Sequence, residues 1–362
     1  MTIARELANL AGVSETALSN RNLILNGAKV IDQRNSGASV SGDGKFPVDR
    51  WKASKVGAGA FSMQQSSTTP ADFNHSVVCT VTTADTSISA SDEYSYRHFV
   101  EGFNFCHANW GTSSAYPVTL SFWVRSSVTG TYAVGFRNNA GNRTNPSTYT
   151  ISSANTWEYK TVTVAGDTTG TWEGASNAIG VGVIFSLGAG SNYQGTANAW
   201  NASGTWSTAS ATQWISNSSA TWYVTGIQLE IGSQSTPFEH RSFGEELNSC
   251  KRFYEHSYPY GTSAGSANGG IGAYHIHAGR SRGNNYGLVT QRYTVEKRAA
   301  ATVTMFGYQG TSGQVANGDT GANLGASTVI QNGATSFLPK NASGGTMADV
   351  ALIYHYSADA EL

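Results

Sequence analysis

Charge is scarce in this chain. Asp, Glu, Lys and Arg make up 12% of the 362 residues and nearly cancel, leaving a formal net charge of −1. An ordinary globular chain carries about a quarter. The shortage excludes the basic surface on which nucleic-acid binding depends. Cysteine is scarce too. Cys79, Cys106 and Cys250 are an odd number without CxxC spacing, so they are neither a disulfide framework nor a zinc site, and they read as buried free thiols. No apolar run approaches membrane-spanning length, so no membrane insertion is expected. Residues 1–20 lack a continuous apolar stretch and contain Arg5, Glu6 and Glu15, so no secretory signal is expected. The chain should fold in a reducing cytosol, and the Asn-x-Ser/Thr triplets at Asn74, Asn142, Asn201, Asn217 and Asn341 are products of composition.

Catalytic motifs are missing as well. There is no HExxH, no P-loop and no strand–GxGxxG–helix. The adjacent acidic pairs are Asp92–Glu93, in a Ser-rich turn where acids are normally just solvated, and Glu245–Glu246. Paired carboxylates, as in glycoside hydrolysis, are the remaining enzymatic alternative, a depolymerase, and the weaker reading. The chain is expected not to be an enzyme.

Small residues and aromatics are abundant. Gly numbers 41, with 9 Trp, 17 Tyr and 14 Phe. Disordered chains lack such aromatics, so short strands joined by small-residue turns fit better. The clearest strand is Val118–Ser126. Val118, Leu120, Phe122 and Val124 face one way, and Thr119, Ser121, Trp123 and Arg125 the other. Other strands are expected over 23–33, 48–53, 76–81, 94–100, 131–137, 157–164, 179–185 and 221–231, the last with a slip at Gly226 that suits a bulge. Without strand–helix alternation, this set predicts an all-β fold: a two-sheet antiparallel sandwich of jelly-roll type. Leu187–Ala220 breaks the pattern as a long Gly/Ser/Asn/Ala-rich stretch.

After Ile231, Gly232 to Pro237 stops the strand, and Ser242 with Glu245 forms a capping box for a helix carrying Leu247, Cys250 and Phe253. The domain expectation is a short N-terminal helical segment over 1–20, a jelly-roll sandwich over 21–240, a hinge helix over 241–257 and a smaller β domain over 258–362. Strands of that last domain are expected over 271–278, 286–294, 301–308, 328–331, 335–338 and 348–356.

The run GIQLEIGSQSTPFEHRSFGEELNSCKRFYE, from Gly226 to Glu255, resembles a junction in tail-fibre and fibre-like virion proteins of bacteriophages, marine ones especially. MTIARELANLAG resembles their N-terminal segment, and Tyr356–Leu362 their C-terminus. Arg21–Gly27 with Asp49, Arg50 and Trp51 resembles their domain opening and the start of carbohydrate-binding jelly-roll modules, although Ala28, Lys29 and Val30 lack the acidic residue such modules carry there. The resemblance implies a virion structural protein: a homotrimeric tail fibre or appendage attached to other virion proteins and meeting host surface polysaccharide. Ile3, Leu7 and Leu10 would then be the docking stripe. A capsid decoration or head-fibre protein is the alternative within that class, and a non-viral carbohydrate-binding protein the alternative outside it.

Tyr and Trp are the residues whose flat faces pack on sugar rings. Trp200, Trp206 and Trp214 in the long stretch, and Tyr258 and Tyr260 after the helix, are candidates for glycan binding or for subunit contact. Trp51, Trp123, Trp157 and Trp222 lie in strands and are expected to be core. His275 and His277 share one strand face, where a threefold assembly would offer six imidazoles to a metal, against the plainer reading of two polar surface residues. No cofactor is expected. A structural calcium, implied by the likeness to jelly-roll sugar modules, would draw on Asp32, Asp49 or Glu230, which otherwise read as surface carboxylates.

Overall fold

A computed structural model of the chain describes residues 20–268, 270–277, 290–341 and 351–362. The expected N-terminal helix, with Ile3, Leu7 and Leu10, lies outside the described residues. The chain divides into two compact units. The first takes the chain up to Val30, Val40–Lys45 and Trp51–Arg241; the second takes Ile31–Ser39, Phe46–Arg50 and Ser242–Leu362.

The first unit is a sandwich of two antiparallel sheets. One sheet runs, in spatial order, β1 (Val40–Ser41), β3 (Ala60–Ser66), β4 (Ser76–Thr83), β11 (Thr221–Ile231), β6 (Val118–Ser126) and β9 (Glu158–Val164). The other runs β2 (Trp51–Val56), β5 (Glu93–Glu101), β10 (Ile179–Ala189), β7 (Gly130–Arg137) and β8 (Thr144–Ile151). Rings join the layers. Phe122 of β6 meets Phe185 of β10 at 5.1 Å and Tyr149 of β8 at 5.0 Å. Trp222 of β11 meets Phe185 at 5.5 Å and Tyr96 of β5 at 6.0 Å. Burying each such side chain stabilises the fold by about 1.5–3 kcal/mol. The chain passes repeatedly between the two sheets, as in a jelly roll.

Three local departures have physical causes. Residues 23–33 are not a strand, because Asn26 and Lys29 take φ of 54° and 61°, in the left-handed region. This segment touches β11 only at points, through Leu23 N–H to Leu229 O and Ile227 N–H to Gly27 O. β8 lies outside the expected strands; it contains Pro146 and is the outermost strand of its sheet, the place where proline is tolerated. The stretch after β10 is ordered by short helical turns at Ser191–Tyr193 and Trp214–Ser216.

The second unit is organised by its last strand, β19 (Ala351–Asp359). One half of β19 pairs with β12 (Tyr254–His256) and β15 (Thr302–Phe306), the other with β13 (Tyr274–His277) and β16 (Gln314–Asn317). β17 (Asn323–Ile330), β18 (Ser336–Asn341) and β14 (Gln291–Arg292) continue the sheet. Tyr293, Met305, Phe337, Leu352, Tyr354 and Tyr356 form the core. The helix Phe243–Lys251 opens the unit with its capping box in place: Glu245 N–H donates to Ser242 Oγ at 3.3 Å, and Ser242 N–H to Glu245 Oε2 at 3.1 Å. The two early segments are held by side chains. Arg34 lies 3.6 Å over the Tyr254 ring and bonds Asp359 at 2.8 Å, and Arg50 lies 3.4 Å over Phe253 and pairs with Glu361.

Candidate functional site

The solvent side of the six-stranded sheet carries an aromatic platform. Strand register creates it. Trp123 of β6 stands opposite Tyr159 of β9 on one side and Thr225 of β11 on the other, and Arg125 stands opposite Tyr223. Residues opposite one another share a face. Trp123 and Tyr159 lie 5.4 Å apart between ring centroids. Trp157, just before β9, meets the Tyr223 ring edge-on at 6.1 Å. The Arg125 guanidinium lies 4.9 Å over Tyr223, and its Nε donates to the Asn155 carbonyl at 2.8 Å. Tyr159 is 45% exposed, while Trp123, Trp157, Tyr223 and Arg125 are half-buried. Exposed Thr161 and Thr163 continue the β9 side.

The other end of the same face is closed. Gln228 and Glu230 are buried there: Thr236 N–H and the Gln228 amide donate to Glu230, and Arg21 pairs with it at 3.4 Å. Thr225 donates its hydroxyl to the His75 carbonyl at 2.7 Å. The face is therefore open over Trp123 and Arg125 of β6, over β9 and over the start of β11, and covered over Thr119, Ser121 and the part of β11 beyond Thr225. What remains open offers flat rings beside hydroxyls, the chemistry that packs on and hydrogen-bonds a pyranose.

The residues singled out from sequence fall elsewhere. Trp214 has no exposure and packs edge-on to Phe61 at 6.0 Å in the core. Trp206 is 6% exposed, stacked 4.3 Å from Tyr193 and lying under Arg97. For both rings the cover is the parent unit, because the long stretch folds back onto β5, β7 and β10. Trp200 is half-buried and packs with Trp110 and Trp172 at 5.0 and 5.5 Å; its Nε1 donates to Ala165 O, and Arg143 with Asp167 lies beside the group. In the second unit Tyr258 is 4% exposed and stacks 3.8 Å from His355, so it belongs to the interior. Tyr260 is 46% exposed, edge-on to Phe243 at 5.0 Å, and its hydroxyl accepts from Asp32 N–H at 3.2 Å.

Trp51 and Trp222 are core, as strand tryptophans were expected to be, but Trp123 and Trp157 are not. The signal that places Trp123 was present in the alternation of β6, which sets it opposite Leu120 and Phe122. No such pattern marks Trp157, which precedes its strand.

The candidate metal ligands are spent on protein donors. Asp32 accepts from Asn35 and Gly37 N–H groups, and Asp49 from the Gln33 N–H and amide. Burial pushes the Asp49 carboxyl up to about 7. Glu230 is bonded as described, so the three carboxylates do not fit a calcium site. Among the described residues no group of three or more His, Cys, Asp or Glu stands within metal-binding range. His275 is exposed on β13; the side chain of His277 lies outside the described residues. The acidic pair Asp92–Glu93 is buried and structural rather than solvated, with Glu93 held by Arg97 at 2.6 Å and Ser54, and Asp92 by Ser89 N–H.

No family model and no curated protein matches the chain. Among solved structures it is similar to the enzymatically active domain of tailspike protein 4 of bacteriophage CBA120, with 12% identity over 58% of this chain and a TM-score of 0.32; the chain spans 21% of that protein's length. It is also similar to the family 11 carbohydrate-binding module of a Clostridium thermocellum cellulosomal cellulase, with 13% identity, 57% of this chain, 99% of that one and a TM-score of 0.27. A third likeness is to the N-terminal cellulose-binding domain of Cellulomonas fimi β-1,4-glucanase C, with 13% identity, 54% and 96% coverage and a TM-score of 0.24. Likeness at this level carries no argument about ligand or assembly.

Proposed function

We propose that this chain is a non-enzymatic recognition protein whose sandwich unit binds glycan on its open aromatic face, and that a phage particle carries it as a trimeric fibre-like appendage meeting host surface polysaccharide. The glycan reading rests on one observation: Trp123, Tyr159, Trp157 and Tyr223 present rings on the solvent side of a sheet whose opposite side already holds the core. Rings in that position contribute little to the fold, and they are fixed by strand register before any ligand arrives. The virion reading is supported by the Gly226–Glu255 junction, and its trimer by the low charge of the chain, which suits burial against copies of itself.

The test is a pair of substitutions, Trp123→Ala and Tyr159→Ala, assayed on an array of bacterial surface polysaccharides. Each should weaken binding by up to a few kcal/mol, as hot-spot rings do, with melting temperature and oligomer mass unchanged. Unchanged binding would refute the glycan reading. Loss of mass from near three chains would make the face a subunit contact instead, and a wild-type monomer would refute the trimer.

A further inference from the structure

We infer that the polysaccharide taken by this face is acidic, its carboxylate or other anionic group docking on Arg125. This rests on the glycan reading of the face. The outward positions of β4, β6, β9 and β11 include one acid, Glu230, and it is buried at the closed end with Arg21 and Thr236. Among the described residues, the open end holds Arg125 and no carboxylate. Glu158 and Lys160 of β9 stand on the alternate positions and neutralise each other at 2.5 Å. Arg125 makes no ion pair among the described residues.

Arg125 is also held ready. Its Nε donates to the Asn155 carbonyl, and its guanidinium carbon lies 4.9 Å from the Tyr223 ring centroid. That leaves the terminal nitrogens as a fixed fork, the geometry that takes a carboxylate through two charge-assisted hydrogen bonds. A fork already fixed loses little side-chain freedom on binding. Trp123 is two residues away on the same strand face, about 7 Å along β6. A sugar ring stacked on Trp123 can therefore present its acid group to Arg125. Neutral glycans would use the rings and hydroxyls and leave the cation unmatched.

Affinity electrophoresis tests this on the full chain, with gels containing polygalacturonate, alginate or hyaluronan, carboxyl-reduced polygalacturonate as the neutral control and polyacrylate as a sugar-free polyanion. The wild-type chain should be retained about tenfold or more strongly by at least one acidic polysaccharide than by the neutral control, the range a charged hydrogen bond gives. R125Q should fall to the neutral level, R125K should recover part of the difference, and Trp123→Ala should lose acidic and neutral binding alike. Equal retention on acidic and neutral polymers, or an unchanged R125Q, overturns the acidic ligand while leaving the glycan face standing. Equal retention on polyacrylate overturns recognition of a sugar acid. Retention by no polymer overturns both readings, as does a change of oligomer mass in R125Q, which would give the face to a second copy of the chain.

Discussion

His355 sits near the middle of β19 with no exposure, its ring stacked on Tyr258 and its Nδ1 bonded to Ser257 Oγ at 3.0 Å. Burial, with the neighbouring His256 adding to it, pushes its imidazole from 6.5 down to about 4. The folded value thus lies below the unfolded one. The stability this confers is fully present above about pH 6.5 and is lost as the pH falls through about 4. His355→Phe keeps a ring against Tyr258 and removes the proton. Urea unfolding followed from pH 7.5 to 4.5 should show the wild-type chain losing stability relative to the variant; parallel pH slopes would contradict the burial account. Asp49, pushed up by burial, titrates in both proteins and cancels in the comparison.

At the scale of elements, β11 links the core, the closed end and the platform. Its register slips between Thr225 and Gln228, and Gly226 takes φ of 59° inside the slip. The Phe73 ring lies 2.6 Å from where a Cβ on Gly226 would stand. Gly226→Val should therefore cost about 1–3 kcal/mol through left-handed strain and displacement of that ring; an unaltered urea midpoint would contradict it. This bulge was legible in sequence because the apolar alternation of 221–231 slips at one glycine. Val118–Ser126 and the capping box of the helix were legible for the same kind of reason, a local periodicity or a local pair. Residues 23–33 misled because their apolar pattern survives while Asn26 and Lys29 turn the backbone left-handed. β8 was hidden by Pro146, whose tolerance depends on an edge position that sequence does not show.

At the scale of the molecule, the site was half legible. Alternation set Trp123 on the face away from Leu120 and Phe122, yet whether that face is open depends on which distant segments cover the sheet. The chain from 233 to 239 and the neighbourhood of His75 cover one end and stop at Thr225. The loop tryptophans needed the opposite information. Trp214 and Trp206 look uncovered in sequence because the strands that bury them are far away in the chain. Under the proposed function the open sheet face, and not the loop or the Tyr260 region, meets the ligand. Hydroxyl-radical footprinting with and without bound polysaccharide tests it most directly. The account predicts that oxidation of Trp123, Trp157, Tyr159 and Tyr223 falls on binding while that of Trp200, Trp172 and Tyr260 is unchanged; protection at Trp200 and Trp172 with the platform still open to oxidation would contradict it.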